Sequence, residues 1–335
     1  MRSHPYRIFL SRIAVLAVLL PSAAAAQEKG YPFRLSNFKF EFYGGTTTLP
    51  PAELDLIADY EEAYLRFFYL DRYETLASKG YAVSFERTGD GSFRPLRRGT
   101  PWGFRLKYEL SPTLALALGL QCLDASRTSS VGLLATVRDP SGNTFTDRYD
   151  NPGFGLSVRA WLPQLSATFG WDLGRLLRYE IFVAGGPMVV ETEAATDVRL
   201  EFADGGGFRS EFSERRVMKG RTKSWHGELG VILRLRPARF FDLFGEAGYA
   251  FREASAFTGP ATSRTRTFET TGGETLAELD VDGSWLITEV SAVKSWGTFA
   301  ASKVVVADWN VRPRPTGFKL QFSGFQLKGG LGIRL

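Results

Sequence analysis

The sequence predicts an all-β fold, an antiparallel up-and-down transmembrane β-barrel, and three observations carry that reading. Long segments alternate apolar and polar residues with period two, as in Trp102, Phe104, Leu106, Tyr108 and Leu110 against Gly103, Arg105, Lys107 and Glu109. Large aromatics sit near segment ends, among them Trp102, Trp161, Trp171, Tyr179, Phe241, Tyr249, Phe318 and Phe322. Connections alternate between short (Ser111-Pro112, 172–178, 236–239) and long.

Taken literally, the alternation gives eight strands: 33–46, 101–110, 113–138, 143–171, 177–202, 208–236, 239–257 and 318–335. Phe38, Phe40 and Phe42 make the apolar face of the first strand. Leu114, Leu116, Leu118 and Leu120 make that of the third, and Leu229, Val231, Leu233 and Leu235 that of the sixth. The alternating segments span about nine to eleven residues, the length that a tilted strand needs to cross a bilayer. The fourth segment is ambiguous. An outward set of Leu156, Val158 and Ala160 gives way to Leu165, Ala167 and Phe169. Either Pro163 marks a bulge, or Leu162–Leu165 is a turn. In the second case the barrel has ten strands, with 284–300 supplying another.

Residues 1–26 read as a cleaved signal peptide. Arg2, Arg7 and Arg12 precede the apolar run Ile13–Leu20, and Ala24-Ala25-Ala26 offers a small-residue cleavage site. Its removal takes three Arg and lowers the net charge from +5 to +2, which gives no support for a nucleic-acid partner. The remainder, 27–335, reads as a single barrel domain with long extracellular loops at about 43–101 and 258–317. One cysteine, Cys122, excludes an internal disulfide framework and a thiolate zinc site. No cofactor or metal is expected.

The first loop is too long to be a plain hairpin connection. Pro50-Pro51, early acids, the spacing of Leu54, Ile57, Tyr64, Leu65 and Phe68, and the stop Lys79-Gly80 predict a helix over about 51–78, possibly in two pieces. It either lies on the membrane surface or closes the barrel mouth with its aromatic face. Tyr81–Phe85 and Gly89-Asp90-Gly91 predict a short hairpin. Arg87, Arg94, Arg97 and Arg98 form a basic cluster that could meet lipopolysaccharide phosphates or simply be solvated.

The signal peptide, the alternating strands and the final strand Phe325–Leu335 resemble the small bacterial outer-membrane barrels of the OmpA, OmpX and OmpW types. The resemblance implies an outer-membrane location and recognition of the last strand by the barrel-assembly machinery. In that group the terminal residue is commonly aromatic, whereas here it is Leu335.

Parity places Lys39, Glu41, Arg105, Lys107, Glu109, Arg159, Glu228, Arg234, Asp242, Glu246, Gln326, Lys328 and Arg334 inside the barrel. An eight-stranded lumen is only wide enough for side chains, so these charges should pair. Ser224, His226 and Glu228 combine the residue types of a hydrolytic triad on one strand face, but that face points inward rather than to lipid. No enzymatic activity is expected. The expected role is structural or surface interaction: adhesion, contact with lipid or lipopolysaccharide, or membrane integrity. A narrow channel for small or hydrophobic solutes is the alternative, a lipid-modifying enzyme a third, and a soluble periplasmic β-protein with its apolar faces covered by a second sheet a fourth.

Overall fold

A computed structural model of the chain describes residues 37–50, 58, 61–62, 65–66, 70–238, 240–255, 257, 259–271, 274–295, 299–307 and 319–334. Of 260–265, 271, 274–295, 299–307 and 319 only the backbone is described. The signal-peptide expectation, residues 1–26, and most of 51–69 lie outside the described residues.

Eight strands close into a ring, as the alternation predicts. They are β1 (Phe38–Thr48), β3 (Arg98–Glu109), β4 (Leu114–Arg138), β5 (Thr144–Asp172), β6 (Leu177–Asp204), β7 (Phe208–Ala238), β8 (Phe241–Ser255) and β13 (Gly324–Arg334). Each pairs antiparallel with its neighbour in chain order. The seam is made by the last strand returning to the first, with Phe40 opposite Ile333 and Thr46 opposite Leu327. Closing the ring in this way removes the exposed edge that a sheet otherwise presents.

The ring has eight strands, not ten. Leu162–Leu165 is no turn: β5 runs through it, with Pro163 opposite Leu120 of β4. Nor does Pro163 mark a bulge. The β5–β6 register is the same at Trp161↔Val189 and at Leu165↔Gly185. The bulge lies ten residues earlier, between Asn151 and Phe154, where both ladders of β5 shift register around Pro152-Gly153. Leu156, Val158 and Ala160 consequently point into the barrel and are buried. The outward set is Trp161, Pro163, Leu165, Ala167, Phe169 and Trp171.

β4 to β7 run 25 to 31 residues, far beyond a single bilayer crossing, and their outer halves project as an open sheet. Two expected loops extend that sheet. β2 (Ala82–Gly89) pairs with Val131–Arg138 of β4 instead of forming a separate hairpin. The expected 258–317 loop contains β9 (Pro260–Thr271), β10 (Glu274–Ser295) and β11 (Phe299–Ala307). β9 takes over from β8 along the outer half of β7, and β10 and β11 follow outside the ring. β12 (Lys319–Gln321) leads back along β8 to the last strand.

Within the first loop the helix α1 spans Asp71–Ser78, and Ala58, Glu61, Glu62 and Leu65 are also helical. The Lys79-Gly80 stop acts as expected. Gly80 adopts φ +88°, its N–H donates to Ala77 O at 3.1 Å, and the Tyr81 N–H donates to Leu76 O at 3.2 Å. This loop is packed, not splayed over the surface. Leu65 and Tyr73 are fully buried in one cluster with Leu49, Phe93, Leu133, Val137, Tyr149, Phe154, Val190 and Val198.

The seam is tight enough to test. A Cβ on Gly45 would lie 1.9 Å from the backbone oxygen of Leu327, whereas one on Gly245 meets nothing within 4 Å. Gly45→Val should open the β1–β13 seam and abolish the mobility difference between boiled and unboiled protein on SDS gels. Gly245→Ala should keep that difference.

Candidate functional site

The membrane-sized part of the barrel is defined by its two faces. Outward, it shows a band of exposed apolar side chains, including Phe42, Phe104, Leu118, Leu165, Ile181, Leu229, Leu233, Leu243, Leu327 and Ile333. Two aromatic pairs bound this band. At one end Trp102 and Trp161 meet edge to face with centroids 6.3 Å apart. At the other, Trp171 stacks on Tyr179 at 6.4 Å. Trp161 and Trp171 are ten residues apart on β5. With a rise of about 3.3 Å per residue and a tilt of about 40°, the band is about 25 Å tall. The Trp102 Nε1–H donates to Asp124 at 3.1 Å, so the indole keeps its ring in the band and its N–H on the polar row above.

Inward, the same length of barrel is filled by paired charges. Arg234, fully buried, bridges Glu41 at 2.7 Å and Glu180 at 2.8 Å. Lys107 meets Glu180 at 2.7 Å, and Lys39 meets Asp242 at 3.0 Å and Glu109 at 2.9 Å. Arg105 joins Glu41 to Glu246. Lys328 holds Glu246 at 2.8 Å and Glu228 at 2.9 Å, and Arg252 holds Glu228 at 2.7 Å. Phe244 lies under the guanidinium groups of Arg105 and Arg234 at 5.2 and 4.9 Å. Gln121, Gln164 and Tyr43 close the gaps by hydrogen bonds among themselves and to Glu228. The result is a cross-linked plug joining all eight ring strands.

Parity located most of this plug. Lys39, Glu41, Arg105, Lys107, Glu228, Arg234, Asp242, Glu246, Gln326 and Lys328 are all buried inside. Glu109 and Arg334 pair with each other at 3.2 Å, partly exposed at the end where both described termini lie. Arg159 is the exception. It points outward and pairs with Asp124 at 2.6 Å, because the outward set of β5 begins at Trp161 and continues in register through Arg159. Sequence reading missed Arg178, Glu180, Gln121 and Arg252. The signal was present in the same parity: Arg178 and Glu180 alternate with Tyr179 and Ile181, and Arg252 follows Phe251.

The triad residues do not form a relay. Ser224 and His226 are on the inner face as expected, but the Ser224 hydroxyl donates to Glu253 O at 2.6 Å. Glu228 is taken by Lys328, Arg252 and Gln121 rather than orienting the imidazole. In the basic cluster, Arg94 pairs with Asp90 at 2.8 Å and Arg87 donates to Gly91 O at 2.8 Å, so two of its four charges are tied within the loop.

Above the plug the inner face turns apolar and receives the first loop. Two buried acids mark the contact. Tyr73 donates its hydroxyl to Asp147, and burial pushes both the phenol and the carboxyl up from their ordinary values. Glu61 is 2% exposed, and burial raises its pKa to about 7, with Arg216 opposing the rise and Glu214 adding to it.

No family model matches the chain, and no curated protein matches it. Among solved structures it is similar to the translocator domain of the autotransporter NalP from Neisseria meningitidis, at 11% identity and a TM-score of 0.19, over 97% of this chain and 98% of that one. It is also similar to a bacterial polysaccharide outer membrane secretin, at 7% identity and a TM-score of 0.13, over 90% of this chain and 100% of that one. Scores this low carry no argument; the barrel rests on its own ladders.

Two outcomes follow from the interior. Glu180→Gln removes the charge shared by Lys107, Arg178 and Arg234. Loss of one partner from a buried ion network costs about 3–5 kcal/mol, so the temperature at which the unboiled band converts to the boiled one should fall sharply. Glu61 gives a pH dependence. Its folded pKa lies above the ordinary 4.5, so its stabilisation of the docked loop is full below about pH 4.5 and lost as pH rises through about 7. Cleavage of the first loop by added protease should accelerate between pH 5.5 and pH 8, and Glu61→Gln should flatten that rise.

Proposed function

We propose that this protein is an integral outer-membrane β-barrel with a structural or surface-interaction role, and not an enzyme. The supporting observation is the pairing of an apolar band about 25 Å tall, bounded by tryptophan pairs, with an interior sealed by ion pairs. A soluble protein would leave Leu118, Leu165, Leu229, Leu233 and Phe325 facing water at more than half exposure. In a bilayer those side chains meet lipid, and the charges they alternate with are neutralised inside. The projecting sheet then stands on the outer side, and its long outer halves carry the interaction surface. The partners this reading implies are outer-membrane lipid and lipopolysaccharide, with the barrel-assembly machinery during insertion.

The lumen favours this reading over a channel. Lys107, Arg105, Arg234 and their carboxylates occupy the bore at several heights, and the apolar loop core covers it above. The test is refolding of 27–335 into lipid vesicles. We expect a protein that inserts, migrates differently boiled and unboiled, and gives no steady conductance steps in a planar bilayer. Protein that stays in aqueous solution without detergent overturns the membrane reading. Stable conductance overturns the sealed lumen and restores the channel.

A further inference from the structure

Immediately beyond the Trp102–Trp161 pair, the outer face of the barrel changes from apolar to charged. Asp124 stands opposite Arg159, Arg159 opposite Glu191, and Glu191 opposite Arg221. A row of alternating sign thus runs across β4, β5, β6 and β7. One residue pair further out, Glu193 stands opposite Lys219. These six side chains line a groove of about 570 Å³, into which the Ser126 and Ser157 positions also open. Its end is shaped by the strand exchange from β8 to β9. There Gly259 approaches so closely that a Cβ would lie 2.0 Å from Lys219 O.

The pairs in the groove differ in strength. Arg159–Asp124 is short, at 2.6 Å, and Asp124 also accepts from Trp102. Arg221–Glu191 and Lys219–Glu193 are both 3.4 Å, with the cations about two-thirds exposed (66% and 59%). Exposed pairs this loose hold together weakly and exchange readily for another anion.

We propose that this groove binds the headgroup of a phosphorylated glycolipid in the outer leaflet. This rests on the membrane reading above, and it names the ligand class and the site. Depth supports it: Asp124 and Arg159 lie two residues along their strands beyond Cys122 and Trp161, at the level where lipid headgroups begin. Chemistry supports it as well. Arg159, Arg221 and Lys219 offer guanidinium and ammonium donors to phosphate, while the interleaved carboxylates and serine hydroxyls accept from sugar hydroxyls. A simple anion would take the cations and leave the three carboxylates without a donor, whereas the sugar hydroxyls of a headgroup supply donors to them.

The test uses full-length mature protein in detergent, with native mass spectrometry or calorimetry. The probes are lipopolysaccharide, the same material dephosphorylated, phosphatidylethanolamine and inorganic phosphate. The variant is Arg159→Gln/Lys219→Gln/Arg221→Gln, with Lys219→Gln alone as a second variant should the triple one fail to fold. Arg199→Gln/Arg209→Gln, further out on the sheet, is the control. We expect the triple variant to bind lipopolysaccharide at least tenfold more weakly, and the single one several-fold. The control should bind as the parent does. Dephosphorylation should reduce binding by the parent to the level of the triple variant, and inorganic phosphate should not compete. Equal binding by parent and triple variant overturns the proposal. So does equal binding of phosphatidylethanolamine, or competition by free phosphate, which would make this a small-anion site. If the parent shows no heat-modifiable barrel at all, it is the membrane reading that fails.

Discussion

The ion network around Arg234 is the constraint on which the barrel depends. A guanidinium buried in an eight-stranded bore has no water to solvate it, and an unpaired charge there costs several kcal/mol. It is stable only with partners, and the partners come from separate strands: Glu41 on β1, Glu180 on β6 and Asp242 on β8. Backbone ladders close the ring around its circumference, while the ion pairs tie it across its diameter. This also explains the number of strands. Eight is the size at which side chains alone fill the interior; two more would leave the same cations too far from the same carboxylates.

A second feature follows from where this network ends. Along β4, β5 and β6 the polarity of the two faces inverts at the height of Trp161. Below it, Leu165 and Ile181 face out while Gln164 and Glu180 face in; above it, Arg159 and Glu191 face out while Val158 and Val190 face in. No register change is needed, because β5 keeps one parity from Phe154 to Thr168. The surroundings change instead: an apolar exterior and a charged interior give way to a charged exterior and an apolar core. A strand that leaves the bilayer becomes an ordinary half-buried strand, and its apolar face needs a cover.

This inversion separates what the sequence makes legible from what it does not. Within the apolar band, alternation assigns each ring strand to within a few residues and sorts lumen from exterior, as Lys39, Glu41, Arg105 and Lys107 show. The same rule fails at Leu156, Val158 and Ala160, because it equates apolar with lipid-facing. These three are apolar because they belong to one buried core with Phe93 and Leu65 of the first loop, a long-range association that local periodicity does not encode. Pro163 misled for a related reason. A proline on the lipid-facing side of a strand is read as a break, yet here the ladder resumes in register on both sides of it. The pairing of β2 with β4, and of β9 with β7, depends on edges that exist only because β4 and β7 outgrow the ring.

The cover over that inverted sheet decides which surfaces remain for partners. Leu65 and Tyr73 are spent on the inner face, where Tyr73 meets Asp147 and Leu65 joins Val137 and Phe154 in one core. The helical loop therefore serves as the second layer of the projecting sheet, which a single layer needs in order to bury its apolar face. Among the described residues of this loop, the apolar side chains Leu65 and Tyr73 face that core rather than the surface. Arg234 and its carboxylates lie across the bore below, and the described part of this core lies above. Among the described residues, the outer face of β4 to β7 stays accessible, where Asp124, Arg159, Glu191 and Arg221 alternate just above the tryptophans. With ion pairs inside the band and an apolar core above it, the charged side chains of these strands are left to the outer face, directly beyond the Trp102–Trp161 pair.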